Sequence, residues 1–338
     1  MTNETKGPYW ELLEERARDD EPVLLCVANQ KGGVGKTTVA VNIGAALAEN
    51  GSRVLLVDLD PQANATTGLG IDHRSQERST YDLLIGQEPL DTVTQVTAVK
   101  NLSCVPGSVD LAGAEVELVA VDEREYRLAH ALGPRPDYDV VIIDCPPSLG
   151  LLTLNALTAA RDLLAPIQCE YYALEGLGQL LRTAERVRNG LNPNLRLSGL
   201  VLTMYDARTR LSSQVSDEIR EHFGDSVFRT VIPRSVRLSE APSFGEPVIT
   251  LDRTSRGAIA FRLLATEFEK RYGLKPTKEA TSSKAPAQPG PGGRGYGVVT
   301  AEPPGLDHSW PRGEPWTEET TKSIQLEEEV LAKEWVRD

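Results

Sequence analysis

Lys31-Gly32-Gly33-Val34-Gly35-Lys36-Thr37-Thr38 constrains this chain more than any other stretch of it. An apolar run, 23–28, leads into it, and an apolar-periodic segment, Val39 to Leu47, leads out of it. The order is strand, glycine turn, helix. Three glycines let successive backbone N–H groups turn inward as a nest for oxyanions, and the following helix aims its positive end at the same point. That is a cradle for a polyphosphate. Lys36 is spaced to reach the outer phosphates, the Thr37 hydroxyl can ligate Mg²⁺, and Gly32, Gly33, Val34, Gly35 and Thr38 complete the nest.

Carboxylates that suit such a cradle stand at the ends of two further apolar runs. Arg53-Val54-Leu55-Leu56-Val57 ends in Asp58-Leu59-Asp60-Pro61-Gln62, and Asp60 follows Lys36 by 24 residues. Residues two apart on a strand share a face, so Asp58 and Asp60 are expected side by side near the phosphate loop. Tyr138-Asp139-Val140-Val141-Ile142-Ile143 ends in Asp144-Cys145-Pro146-Pro147-Ser148. A hydrophobic strand ending in Asp is the pattern that holds Mg²⁺, often through water, and two prolines stiffen the loop beyond it.

Apolar runs alternate with helical patterns from Val23 to about Tyr272. Strands are expected at 23–28, 53–58, 102–105, 139–144, 162–167, 197–203 and 228–232, and helices at 37–49, 110–120, 151–159, 174–189, 211–222 and 256–272. Runs of Val, Ile and Leu without polar alternation suit parallel strands covered on both faces. The expected fold is therefore α/β, a doubly wound, mostly parallel sheet with helices on both faces, with the functional loops at the carboxyl ends of the strands.

Four regions follow. Residues 1–21 form a polar extension with one amphipathic face (Tyr9, Leu12, Leu13, Arg16). The nucleotide domain spans 22–273. A Pro/Gly-rich stretch, 274–315, reads as a disordered linker. Residues 316–338 form an acidic tail in which Ile324, Leu326, Val330, Leu331 and Trp335 can lie on a short helix.

The early lysine, Lys31, is foreign to an ordinary phosphate loop. With it the sequence resembles the deviant Walker A motif of the ParA/MinD family of ATPases. The resemblance covers about residues 22–272. It includes Glu170-Tyr171-Tyr172-Ala173-Leu174-Glu175-Gly176, Thr203-Met204-Tyr205-Asp206-Ala207-Arg208 and Pro233-Arg234-Ser235-Val236-Arg237-Leu238-Ser239-Glu240-Ala241-Pro242, which are similar to the ParA/Soj partition branch. The family implies ATP and Mg²⁺ as cofactors and a homodimer formed with ATP. Lys31 then reaches the partner subunit's nucleotide, Asp60 positions the attacking water, Asp58 and Asp144 lie near the metal, and Pro233 belongs to the adenine-side loop. It also implies nonspecific DNA binding through Arg208, Arg237 and Arg210, a centromere-bound ParB-like partner that stimulates hydrolysis, and a cytoplasmic, nucleoid-associated protein. The strand end at Thr203-Met204-Tyr205-Asp206 has no Asn-Lys-x-Asp guanine-reading loop, which favours ATP over GTP.

Charge and cysteines weigh the other readings. The formal net charge is −13, so any DNA site must be a local basic strip. A MinD-type membrane-associated division-site ATPase, or another cargo-positioning ATPase of the family, is the alternative, but the MinD branch carries a basic amphipathic helix, whereas residues 316–338 are rich in Glu and repelled by anionic lipid. No apolar run reaches the roughly 20 residues of a membrane span. The four cysteines (Cys26, Cys104, Cys145, Cys169) form no C-x-x-C pair, which argues against zinc and against an iron–sulfur scaffold of the nitrogenase iron-protein kind.

Overall fold

A computed structural model describes residues 21–133, 136–170 and 173–274. The amphipathic face around Tyr9, the linker beyond Leu274, the acidic tail, and Tyr171 and Tyr172 lie outside the described residues.

The first unit is built as its sequence demands. β1 (Val23–Val27) is buried throughout, and after the glycine loop the chain enters α1 (Lys36–Glu49). α1 is rich in Ala and nearly every residue from Val39 to Ala48 is buried. Gly44 explains how a helix sinks so deep: a Cβ there would press on Ile142 Cδ1 at 3.2 Å. β2 (Val54–Asp58) follows, then α2 (Asn64–Gly68), α3 (Leu90–Val93) and the short β3 (Gln95–Val96). β4 (Leu102–Val105), α4 (Leu111–Glu117), α5 (Arg127–Leu132) and β5 (Val140–Asp144) continue the alternation. The C-terminal half adds α6 (Leu151–Ala159), β6 (Asp162–Gln168), α7 (Ala173–Gly190), β7 (Arg196–Thr203), α8 (Arg210–Phe223), α9 (Val236–Glu240), α10 (Val248–Leu251) and α11 (Arg256–Tyr272).

The sheet order is β3-β4-β2-β5-β1-β6-β7, parallel except for the antiparallel edge pair β3–β4. β5 returns between β2 and β1. Its register sets Val27 beside Asp144 and Asp58 beside Asp144. The glycine loop and both acidic strand ends therefore emerge from three adjacent strands at one edge of the sheet, where open α/β folds bind ligands.

Alternating residues feed two cores. Leu24 and Cys26 of β1 face the layer of α4, α5, α6 and α7, which buries Leu111, Leu128, Leu152 and Leu180. Val23, Leu25 and Val27 face α1 and α11, which bury Ile43, Leu47, Phe261 and Phe268. Each fully buried Leu, Ile or Phe contributes roughly 1.5–3 kcal/mol of apolar transfer.

One expectation fails locally, and one element is new. Residues 228–232 form no strand; single bridges, Leu200–Val227 and Tyr205–Pro233, flank the segment, and Phe228 N and Ile232 N donate to Leu200 O and Leu202 O of β7. Its apolar content serves packing instead, since Phe228 and Ile232 sink into the core beside α11. The edge strand β3, of two residues, was too short to leave an alternating pattern. Among the described residues no helix is long and apolar enough to cross a membrane.

Candidate functional site

The loop between β1 and α1 turns where its glycines allow. Gly33 and Gly35 have φ of 75° and 89°, and Gly35 caps α1 from the left-handed region. The loop is anchored at both sides. Asn29 Nδ2 donates to Pro166 O at 2.8 Å while its Oδ1 accepts from Lys31 N at 3.0 Å. Across the loop the Thr203 hydroxyl, at the end of β7, donates to Val34 O at 2.8 Å.

A cleft of about 370 Å³ opens over this loop. Gly32, Gly33, Gly35, Lys36, Thr37, Thr38 and Asp60 line its floor, with Pro147 beside them. Its far wall is Met204, Leu238, Ala241, Pro242 and Pro247. These apolar side chains suit a flat heterocycle, a wall that the sequence analysis missed because they are distant in sequence and chemically plain. Pro233 is not part of it. It pairs with Tyr205 at the end of β7, while Leu238, Pro242 and Pro247 line the cleft. A second hollow, about 450 Å³ around Leu24, His130, Leu132 and Arg161, lies at the opposite end of β1 and holds none of the residues marked by sequence.

Lys36 is buried, and its Nζ donates to Lys31 O at 3.2 Å. Burial lowers its pKa, while Asp144, Cys145 and Asp60 pull it back up. Asp144 is fully buried and neither of its oxygens accepts a well-formed hydrogen bond. Burial and then the neighbouring Asp58 push its pKa well above the carboxylate range, against the pull of Thr37 and Lys36. An orphaned carboxylate beside a hydroxyl and one lysine fits a divalent cation. Among the described residues no three His, Cys, Asp or Glu side chains form a closed metal cage. Mg²⁺ is commonly held by one or two protein oxygens together with substrate phosphates, and Asp144 and the Thr37 hydroxyl offer oxygens of that kind.

Asp58 is differently employed. Its Oδ2 accepts from Thr66 N at 2.8 Å and from the Thr66 hydroxyl at 2.6 Å, and its Oδ1 accepts from Asp60 N at 3.1 Å. Burial nevertheless raises its pKa to about 6. The expectation that Asp58 belongs to the metal shell meets oxygens that are already engaged, and its geometry is that of a strut. β2 ends at Asp58, so Asp60 does not share a strand face with it. Asp60 stands one turn on, lines the cleft and accepts from Gln62 N at 3.0 Å.

Lys31 points elsewhere. It is absent from the cleft lining, and its Nζ pairs with Glu170 Oε2 at 3.5 Å on the surface, with 34% of the side chain exposed. The expected DNA arginines are all exposed. Arg208 grips Asp206 at 2.9 and 2.7 Å, and Arg237 pairs with Glu240 at 3.2 Å and Asp252 at 3.4 Å. Arg234, unmarked by sequence, adds to the positive charge beside Asp206, whose pKa falls to about 2 chiefly through its hydrogen bonds with Arg208. All four cysteines are buried and free; Cys26 and Cys145 bring their sulfurs to 3.4 Å.

Comparison with known proteins agrees with this geometry. Residues 23–197 match the model of a family described as an AAA domain. The sporulation initiation inhibitor protein Soj of Bacillus subtilis is 54% identical over 245 residues, 72% of this chain and 97% of that protein. The chromosome partitioning protein ParA of Caulobacter vibrioides is 51% identical over 263 residues, 76% of this chain and 97% of that one. Among solved structures, cobyrinic acid a,c-diamide synthase from Mycobacterium smegmatis, with bound ATP analog and magnesium, superposes with a TM-score of 0.66 at 42% identity, covering 75% of this chain and 96% of that one. The chain belongs to the ParA/Soj family of chromosome-partitioning ATPases.

Proposed function

We propose that this protein is a nucleotide-switched DNA-segregation ATPase whose residues 22–273 bind ATP with Mg²⁺, dimerise around it and hold nonspecific DNA until hydrolysis. In this reading the loop amides and Lys36 neutralise the phosphates, and Asp60 orients the attacking water. Thr37 and Asp144 would hold Mg²⁺, which neutralises charge on the phosphate oxygens when bound. Asp58 fixes the turn that carries Asp60.

One observation carries the proposal. Lys31 opens the phosphate loop, yet its ammonium lies outside its own cleft, paired with Glu170 at the surface. A second protomer meeting the cleft face to face would receive that charge at its γ-phosphate, so turnover depends on pairing. Arg208, Arg210 and Arg237 would supply phosphate contacts without sequence preference, and pairing two protomers doubles them. A ParB-like partner would trigger hydrolysis and release, in the cytoplasm and on the nucleoid.

The test is sedimentation of the Asp60→Ala variant with ATP and Mg²⁺, alone and with Lys31→Ala added. The single variant should sediment as a dimer and retain DNA, and the double variant as a monomer. A monomeric Asp60→Ala protein would sink the proposal. Retention on anionic liposomes in place of DNA would select the MinD-type reading. ATP turnover that requires a carboxylic acid substrate and ignores DNA would select a synthase like the Mycobacterium smegmatis protein.

A further inference from the structure

The helix α4 presents an apolar stripe to solvent. Its inward side chains, Leu111 and Ala114, are buried, as is Leu118 just beyond it. Outward, Val109, Val116 and Val119 are 70, 74 and 59% exposed, with Ala112 and Gly113 exposed between them. Their spacing, three to four residues apart and then again, aligns them along one face. Single exposed valines are ordinary, but three in a row on one face form a patch.

The rim of this patch has one sign. From Val109 to Glu123 the chain contains Asp110, Glu115, Glu117, Asp122 and Glu123 and neither Lys nor Arg. All but Glu115 are exposed. Arg124, the next cation, is occupied by Glu125 at 2.9 Å and by Val119 O at 3.0 Å. An acidic rim repels a second copy of itself, so a self-paired α4 face is disfavoured, and a basic occupant is favoured.

α4 and the turn before it meet, at two points, segments that lead to residues of the cleft. The turn before it gives Gly107 N to the Thr66 hydroxyl at 2.8 Å, the hydroxyl that donates to Asp58. Gly107 must be glycine-small, because a Cβ there would lie 2.9 Å from Asp58 Cγ. Farther along, the Glu115 carboxylate lies against Gly150, the residue that caps α6 after the Asp144–Pro147 loop, and a Cβ on Gly150 would overlap it. Glu115 Oε1 is buried there without a hydrogen bond. A shift of α4 therefore presses on both the Asp58 turn and the loop after Asp144.

We propose that the outer face of α4 docks a basic amphipathic helix of a partner protein, its apolar side chains covering Val109, Val116 and Val119 and its cations meeting Asp110, Glu117, Asp122 and Glu123. Docking is transmitted to the nucleotide cleft through Glu115–Gly150 and Gly107–Thr66. The transmission rests on the reading of the chain as a partner-regulated ATPase; the docking does not.

The probe is a labelled synthetic helix of Leu, Ala and Lys, about 18 residues or five turns long, with its Leu on one face. Its Lys→Glu counterpart is the control. Fluorescence anisotropy on the full chain without nucleotide should show binding of the basic peptide only. Val116→Lys should weaken it by about tenfold or more, roughly 1.4 kcal/mol. Ile259→Lys makes the same charge change on α11, across the sheet, and should leave affinity within about twofold. Equal loss in the two variants, or none in Val116→Lys, overturns the docking site. So does sedimentation showing that Val116→Lys dissolves a self-associated form that the parent has without peptide. The Lys36→Ala variant should bind the peptide as the parent does, which separates this result from any failure of the ATPase reading. For transmission, saturating peptide should change the parent's ATP turnover, and Glu115→Ala should bind the peptide but lose that response. A saturated parent with unchanged turnover refutes it.

Discussion

Replacing Thr66 by Val tests whether Asp58 is a strut. The substitution keeps the side-chain shape and removes one hydroxyl. That hydroxyl is completely buried, donates to Asp58 Oδ2 at 2.6 Å and accepts from Gly107 N at 2.8 Å. A hydrogen bond to a charged group is worth about 1.5–3 kcal/mol, and a buried N–H left without a partner costs about 1–3 kcal/mol. Asp58 retains the Thr66 and Asp60 amides, which limits the damage. The expected loss is about 3–4 kcal/mol.

Urea denaturation of nucleotide-free protein at neutral pH reads this directly. The midpoint should fall with the slope unchanged, since the surface exposed on unfolding is the same. Thr66→Ser is the control. It restores the hydroxyl and sheds a methyl, so it should cost only about 1 kcal/mol. If Thr66→Val loses less than about 1 kcal/mol, or no more than Thr66→Ser, the Asp58–Thr66–Gly107 chain is not what holds the turn.

Asp144→Asn removes a carboxyl group whose ionised form burial and the neighbouring Asp58 disfavour, so at a pH that ionises Asp144 the nucleotide-free protein should melt higher, by about 2–4 °C for each kcal/mol gained, while Mg²⁺-dependent ATP turnover disappears. A lower melting point would contradict the orphaned state of that carboxylate. Gly199→Ala should destabilise by at least about 1–3 kcal/mol, because the new methyl overlaps the Phe228 ring; a denaturation midpoint within error of the parent would show that the ring yields freely. The Asp206 carboxylate, held down to about 2 by Arg208, should titrate near that value by NMR and return toward the ordinary range in Arg208→Ala. Its folded value is depressed, so its small stabilisation is present above about pH 4 and is lost as the pH falls through 2. An unshifted Asp206 in the variant would remove Arg208 as the cause.

Chemistry was legible in this sequence where residue type and neighbours carry it locally. The glycine loop declares its conformation, because a turn with φ near 80° selects glycine, and the apolar runs on either side declare strand and helix. Asp144 was legible because a buried run ending in a carboxylate has few other uses. What the sequence hid is contact over distance. Cys26 and Cys145 lie 3.4 Å apart across 119 residues because β5 inserts between β1 and β2, and no local pattern announces a strand order. The same insertion moves Asp144 beside Asp58 and leaves the cleft walled by Leu238, Pro242 and Pro247 from the far end of the domain. The misreadings have one origin. The segment 228–232, with Phe228, Val231 and Ile232, buries apolar side chains as well without a strand as with one, and an Asp-x-Asp pair shares a face only while the chain remains extended, which it ceases to do at Asp58. Spacing along the chain thus says little about which of these groups meet. The meeting is enforced by three strands that end side by side, so the polar groups that hold those ends in register, Thr66 under Asp58 and Asn29 under the loop, belong to the site as much as the residues that face the cleft.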